Sequence, residues 1–187
     1  MATREVWLVR HGPTEWSRDH RHTSVTDLPL LPEGEQAAQE LAARLAEVEF
    51  ALVLTSPRLR ARHTAELAGF PEAEDDDDLT EWAYGDYEGV TTEQIRESVP
   101  GWSVWSHPSP GGETAEQVSA RLDRVVERAG SVDGRVLVFG HGHALRVLAA
   151  RWLGLPAADG RHFRLDTATV SVLGHERENP VLLRWNS

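Results

Sequence analysis

A chain of 187 residues with a net charge of −11 and no cysteine is long enough for one compact domain with a sizeable core. The missing thiols exclude disulfides, Cys-ligated zinc and thiol catalysis, and suit a reducing cytoplasm. The acidic balance argues against a nucleic-acid partner, and no apolar run is long enough for a membrane span.

The chain opens on Met1-Ala2-Thr3-Arg4-Glu5, which leads straight into a strand from Arg4 to Val9 and is too short in apolar residues for a signal peptide. Pro32-Glu33-Gly34-Glu35 begins an amphipathic helix running to about Glu47, with Ala38, Leu41, Ala42 and Leu45 on one stripe. Ala51 to Leu54 is a strand, and Leu59 to Ala68 a helix stopped near Gly69 and Pro71. The acidic run Glu74 to Asp78 reads as a solvated loop rather than a metal site. Thr92 to Glu97 is a short helix. Pro100 to Gly112, rich in Pro, Gly, Ser and Trp, reads as an irregular lid-like segment around residues 98–113. Thr114 with Gln117 forms a capping box for a helix reaching about Ala129. Val136 to Phe139 is a strand, Ala144 to Leu153 a helix, and Thr169 to Leu173 and Val181 to Trp185 closing strands. Strands alternating with helices, with neither repeat nor linker, predict a single three-layer α/β/α domain over 1–187 with a mostly parallel central sheet.

Three apolar runs end in chemistry. Val6-Trp7-Leu8-Val9 ends in Arg10-His11-Gly12, with Thr14 close behind. Leu52-Val53-Leu54 ends in Thr55-Ser56-Pro57-Arg58-Leu59-Arg60, and Val136-Leu137-Val138-Phe139 ends in Gly140-His141-Gly142-His143. In open α/β sheets ligands bind beyond the carboxyl ends of the strands. Arg offers a planar fork for phosphate oxygens, His a nitrogen that is nucleophilic near neutral pH, and Gly a close backbone approach. Together they predict a phosphate pocket built from two histidines and at least two arginines. An acidic protein repels anions at long range, so the attraction has to come from arginines clustered in a cleft.

These motifs extend through Thr26-Asp27-Leu28-Pro29-Leu30 with Gly34, Arg60-Ala61…Thr64-Ala65, Leu79-Thr80-Glu81-Trp82-Ala83-Tyr84-Gly85-Asp86-Tyr87-Glu88-Gly89, Gly111-Gly112-Glu113-Thr114 and His143-Ala144-Leu145-Arg146. In that order the chain resembles the histidine phosphatase superfamily in its phosphoglycerate-mutase-like branch. Its motifs are nearest to sedoheptulose-1,7-bisphosphatase-like enzymes and small actinobacterial acid phosphatases. The resemblance implies a phosphoglycerate mutase-like fold and a phosphomonoester hydrolase that needs no metal and no cofactor. His11 is then the nucleophile that becomes a phosphohistidine, Arg10 and Arg60 bind the transferring oxygens, and His141 donates to the phosphoryl group. Glu81 falls at the position of the general acid, with Glu88, Asp86 and Glu15 as the rival carboxylates and Arg58 as the rival to Arg60.

Substrate-selecting residues are drawn from hydroxyls (Thr14, Ser17, Thr23, Ser24), aromatics (Tyr84, Trp102, Trp105), the amides of Gly142 and His143, and Arg146 for a second anionic group. Ser17, Pro13 and His22-Thr23-Ser24 depart from the mutase pattern, which leaves substrate identity open. The expected partners are a small phosphorylated substrate and inorganic phosphate, with a homodimer allowed and neither membrane nor nucleic acid involved. Mutase-type phosphoryl transfer is the first alternative. The longer middle insertion and C-terminal tail of true mutases are not apparent. A non-catalytic phosphate-binding protein of the same fold is the second, opposed by the intact set Arg10, His11, Arg60, Glu81 and His141.

Overall fold

A computed structural model describes residues 4–187; Met1, Ala2 and Thr3, read above as the lead into the first strand, lie outside the described residues. The elements in chain order are β1 (Glu5–Arg10), α1 (Glu15–Arg18), α2 (Pro32–Leu45), β2 (Leu52–Thr55), α3 (Leu59–Leu67), β3 (Glu74–Asp75) and α4 (Thr92–Ser98). They continue with α5 (Ala115–Ser131), β4 (Arg135–Gly140), α6 (Gly142–Trp152), β5 (Val170–Glu176) and β6 (Asn179–Arg184). Tight helical turns lie at Asp77–Leu79, Gly85–Tyr87 and Ala157–His162.

The sheet runs β3-β2-β4-β1-β5-β6, with β3, β2, β4 and β1 parallel and the β5–β6 hairpin antiparallel to them. Strand alternation gives it two apolar faces. Val6, Leu8, Val136 and Val138 face Val118, Leu122 and Val125 of α5 and Ala144, Leu145 and Leu148 of α6. The intervening Val9, Leu137 and Phe139 face Leu41 and Leu45 of α2 and Ala65 of α3. The stripe on α5 begins because the Thr114 hydroxyl accepts from the Gln117 amide at 3.3 Å while Gln117 Oε1 accepts from the Thr114 amide at 2.8 Å.

The central parallel pair sets the site. In the β1–β4 register Arg10 lies opposite Gly140, so His11 and His141 leave the sheet at the same level, and the His11 amide donates to the Gly140 carbonyl at 3.0 Å. Gly12 and Gly34 let the β1 exit loop press on the start of α2: a Cβ on Gly12 would lie 2.6 Å from the Gly34 carbonyl oxygen, and one on Gly34 2.3 Å from that of Pro13.

Three expectations are corrected. The acidic run is no bare loop, because Glu74 and Asp75 form an edge strand on β2 and its carboxylates pair with Arg62, Arg124 and Arg128. The stretch after α4 is irregular but is no free lid, since Trp102 and Val104 are buried in the core. The Arg96 Nε donates to the Trp102 carbonyl at 2.8 Å and fastens that stretch to α4. Third, α6 starts at Gly142 rather than Ala144, directly behind His141. The short helix α1 had no apolar periodicity to announce it; Thr14 and Ser17 cap it reciprocally.

Candidate active site

Beyond the ends of β1 and β4 lies a cavity of about 250 Å³, lined among others by Arg10, His11, Ser17, Thr23, Glu81, Tyr84, Gly142, His143 and Arg146. His11 is held by its own turn. Its Nδ1 is 2.7 Å from the Gly12 carbonyl, which can only accept, so Nδ1 carries the proton and Nε2 keeps its lone pair. Burial, then the guanidiniums of Arg60 and Arg10, push the His11 pKa well below its ordinary value, which keeps the ring neutral.

His141 lies behind this wall, fully buried, its ring 5.2 Å from that of His11. Its Nε2 meets the Ser56 hydroxyl at 2.8 Å, whereas Nδ1 is buried without a partner in the protein. Burial, Arg60 and His11 lower its proton affinity strongly as well. Ser56 was not singled out as a site residue, although its place at the end of β2 was the available signal.

Arg60 is fully buried, its guanidinium spread across the carbonyls of Thr26, Thr23 and Ser24 at 3.1 to 3.3 Å with Nε unpartnered. Those carbonyls belong to a loop that Glu88 organises, accepting from the Ser24 and Thr26 amides and the Ser24 hydroxyl. Burial works against ionisation of Glu88, but the Ser24 and Thr26 donors outweigh it and hold its carboxyl below the ordinary range. Arg58 reaches only the Val25 carbonyl and Arg62 pairs with Asp75 on the surface. Arg10 rests one nitrogen on the Leu165 carbonyl at 2.6 Å and packs its guanidinium on Gly142, where a Cβ would come within 3.3 Å. Burial pulls the pKa of Arg10 and Arg60 down, with Glu81 opposing, yet a guanidinium remains charged.

Glu81 occupies the start of α6. Its Oε1 accepts from the amides of Trp82 and Ala144 at 2.9 and 2.8 Å, and its Oε2 from His143 at 3.0 Å. The His143 and Ala144 amides at the helix start are thus engaged by a side chain of the protein, which corrects the expectation that the His143 amide is open to a ligand. Tyr84 is pushed well above its ordinary pKa by burial and by Glu81, so its hydroxyl stays neutral 2.6 Å from His143 Nδ1. Arg146 stacks on Trp105 at 4.6 Å and fixes itself to the Gly160 carbonyl.

Four of the named substrate residues lie away from the cavity. Thr14 is fully buried as the cap of α1, Ser24 is buried against Glu88, and Trp102 is a core residue bonded to the Pro108 carbonyl. Each side chain has an apolar or hydrogen-bonding task within the fold. Trp105 backs His143 and Arg146 instead of lining the cavity itself. Conversely, His20, Arg21, His22 and Thr92 line it without having been singled out. His22 holds the Val90 carbonyl through Nδ1 and stacks near His143, and its departure from the mutase pattern was the one sequence signal for it.

A six-stranded mixed sheet flanked by helices, with two histidines facing one another at adjacent strand ends, defines an α/β protein with a histidine-lined site. The chain belongs to the histidine phosphatase superfamily (branch 1), whose profile matches residues 6–187, and it is a phosphatase. It is 43% identical over 175 residues to an acid phosphatase of Mycobacterium tuberculosis, covering 90% of this chain and 85% of that one. It is 39% identical to a sedoheptulose 1,7-bisphosphatase of Saccharomyces cerevisiae, over 79% of this chain and 67% of that one. Among solved structures, an open reading frame product of Mycobacterium tuberculosis superimposes with a TM-score of 0.94 at 40% identity, over 98% of this chain and 97% of that one. A mycobacterial glucosyl-3-phosphoglycerate phosphatase solved with VO3 gives 0.87 at 28% identity, over 98% and 99%. Among the described residues no helix is long and apolar enough to cross a membrane.

Proposed function

We propose that the protein hydrolyses phosphomonoesters of small metabolites, such as sugar phosphates, by double displacement through a phosphohistidine on His11. The observation that carries this reading is the neutral His11 ring, its Nδ1–H fixed by Gly12 and its Nε2 free, 5.2 Å from His141 and flanked by the half-buried Arg10 and the fully buried Arg60. The Nε2 lone pair attacks phosphorus as the P–O ester bond breaks, and the leaving oxygen takes a proton from Glu81. A water then attacks the phosphohistidine while giving a proton to the Glu81 carboxylate. The P–N bond breaks with its electron pair returning to Nε2, and inorganic phosphate leaves.

Arg10 and Arg60 offset the charge on the equatorial oxygens, so charge stabilisation is supplied by side chains already in place. The dianion itself favours proton uptake by His141. A cavity of about 250 Å³ suits a small ester. Names of the relatives (acid phosphatase, sugar bisphosphatase, sugar-phosphoglycerate phosphatase) support the same substrate class.

Rapid-quench of the enzyme with ³²P-labelled substrate tests this. A protein-bound label, labile in acid and stable in base, is expected, and His11→Asn should lose both label and turnover while keeping its circular dichroism. Turnover retained by folded His11→Asn overturns the reading.

A further inference from the structure

The Gly111-Gly112-Glu113-Thr114 motif has no place in the steps above, yet Glu113 joins Arg121 in the most elaborate ion pair of the molecule outside the cavity. The Glu113 carboxylate takes Arg121 Nε at 2.8 Å on one oxygen and Nη2 at 2.9 Å on the other, and the second oxygen also accepts from the Ala83 amide at 2.9 Å. Arg121, buried on α5, turns its remaining nitrogen to two carbonyls at once, those of Asp78 and Thr80, each at 2.7 Å. The backbone of Glu113 adds its amide to the Ala83 carbonyl, and its own carbonyl to the indole N–H of Trp82, both at 2.9 Å. The pair thus holds the backbone of residues 78–83 on both sides of Glu81, at Asp78 and Thr80 before it and at Ala83 after it, while Asp78 is further tied by Asp76 and Arg124.

From this geometry we infer that Glu113 and Arg121 are positioning residues for Glu81, setting where its carboxyl meets the leaving oxygen without touching substrate. The inference rests on the reading of Glu81 as the general acid. Glu81 is gripped at one end by the amides of α6 and on either side by the clamp, so its carboxyl is located by α5 and α6 together. Neither Glu113 nor Arg121 lines the cavity, so loss of the clamp leaves the phosphoryl contacts of Arg10 and His11 in place. What it removes is placement, to which proton transfer to a poor leaving group is sensitive.

The test compares kcat/KM, which reports the phosphoryl transfer step, for an alkyl phosphate and for a strongly activated aryl phosphate that departs without a proton. The clamp is loosened by Arg121→Lys and independently by the nearly isosteric Glu113→Gln, each verified as folded by thermal unfolding. Expected is a loss on the order of 10- to 100-fold for the alkyl ester, with the activated ester within about threefold of the parent. Glu81→Gln should show the same selectivity more strongly, and adding Arg121→Lys to it should bring no further selective loss. Equal losses for both esters in Glu81→Gln overturn the acid assignment. A selective loss in Glu81→Gln, with none in the folded clamp variants, leaves that assignment standing and overturns the clamp.

Discussion

Acidifying the protein puts the two facing imidazoles to a quantitative test. His11 and His141 are buried, and both have folded-state proton affinities far below those of an exposed histidine, burial being the largest cause. Below about pH 6.5 the unfolded chain binds protons at these rings while the folded chain does not, so stability must fall as pH falls. One pH unit below the unfolded value costs about 1.4 kcal/mol per neutral ring, or about 3 kcal/mol for the pair at pH 5.5. Against a typical domain stability of about 5–15 kcal/mol that is a large fraction, equivalent to a drop of about 6–12 °C in Tm for a chain of this size. The assay is urea unfolding of the phosphate-free protein at pH 7.0 and 5.5, with His11→Asn alongside. Burial depresses His143 in the same way and also lowers His22, so the variant should lose no more than about a third of the acid sensitivity, and the comparison cancels the change in overall charge. Equal stability at the two pH values, or identical sensitivity in His11→Asn, would mean that the folded protein holds these rings protonated and would refute the argument.

Two further outcomes follow from the supports of the site. Glu88→Ala strips the acceptor from the Ser24 and Thr26 amides, and should cost about 1–3 kcal/mol in thermal unfolding and raise KM by loosening the carbonyl cradle of Arg60; an unchanged KM would separate that loop from phosphate binding. Gly34→Ala drives a methyl into the Pro13 carbonyl, so stability should fall by about 1–3 kcal/mol with a loss of kcat, read by unfolding and steady-state kinetics; a neutral effect would show that the β1 exit loop can move freely.

Most of the frame was legible because period-2 and period-3.6 patterns report burial directly. Val6 to Val9, Leu41 with Leu45, and the capped stripe on α5 lie where the spacing put them, with ends displaced by a few residues. Strand ends and motif order pointed to Arg10, His11 and Glu81, which line one cavity, and to Arg60 and His141, which are fully buried and outside its lining. Which hydroxyls and indoles face the cavity was not legible. Thr14, Ser24 and Trp102 carry the right chemistry for a substrate wall, but their orientation is decided by a helix cap, by a carboxylate 64 residues away and by core packing. The cap of Thr14 is local, made with Ser17 three residues on, but the other two depend on contacts remote in the chain. The acidic run differs from a solvated loop for a similar reason, since its arginine partners lie on α3 and α5, outside its local sequence.

Because His11 and His141 each follow directly on one of two neighbouring parallel strands, the gap between their rings repeats the roughly 4.8 Å step of a β-ladder. The two imidazoles are therefore placed by the lattice of the main chain, while most of the remaining cavity wall is carried on loops and helix starts. Substitutions in those walls can reshape the cavity without disturbing the spacing of the two rings, on which the proposed phosphohistidine chemistry rests.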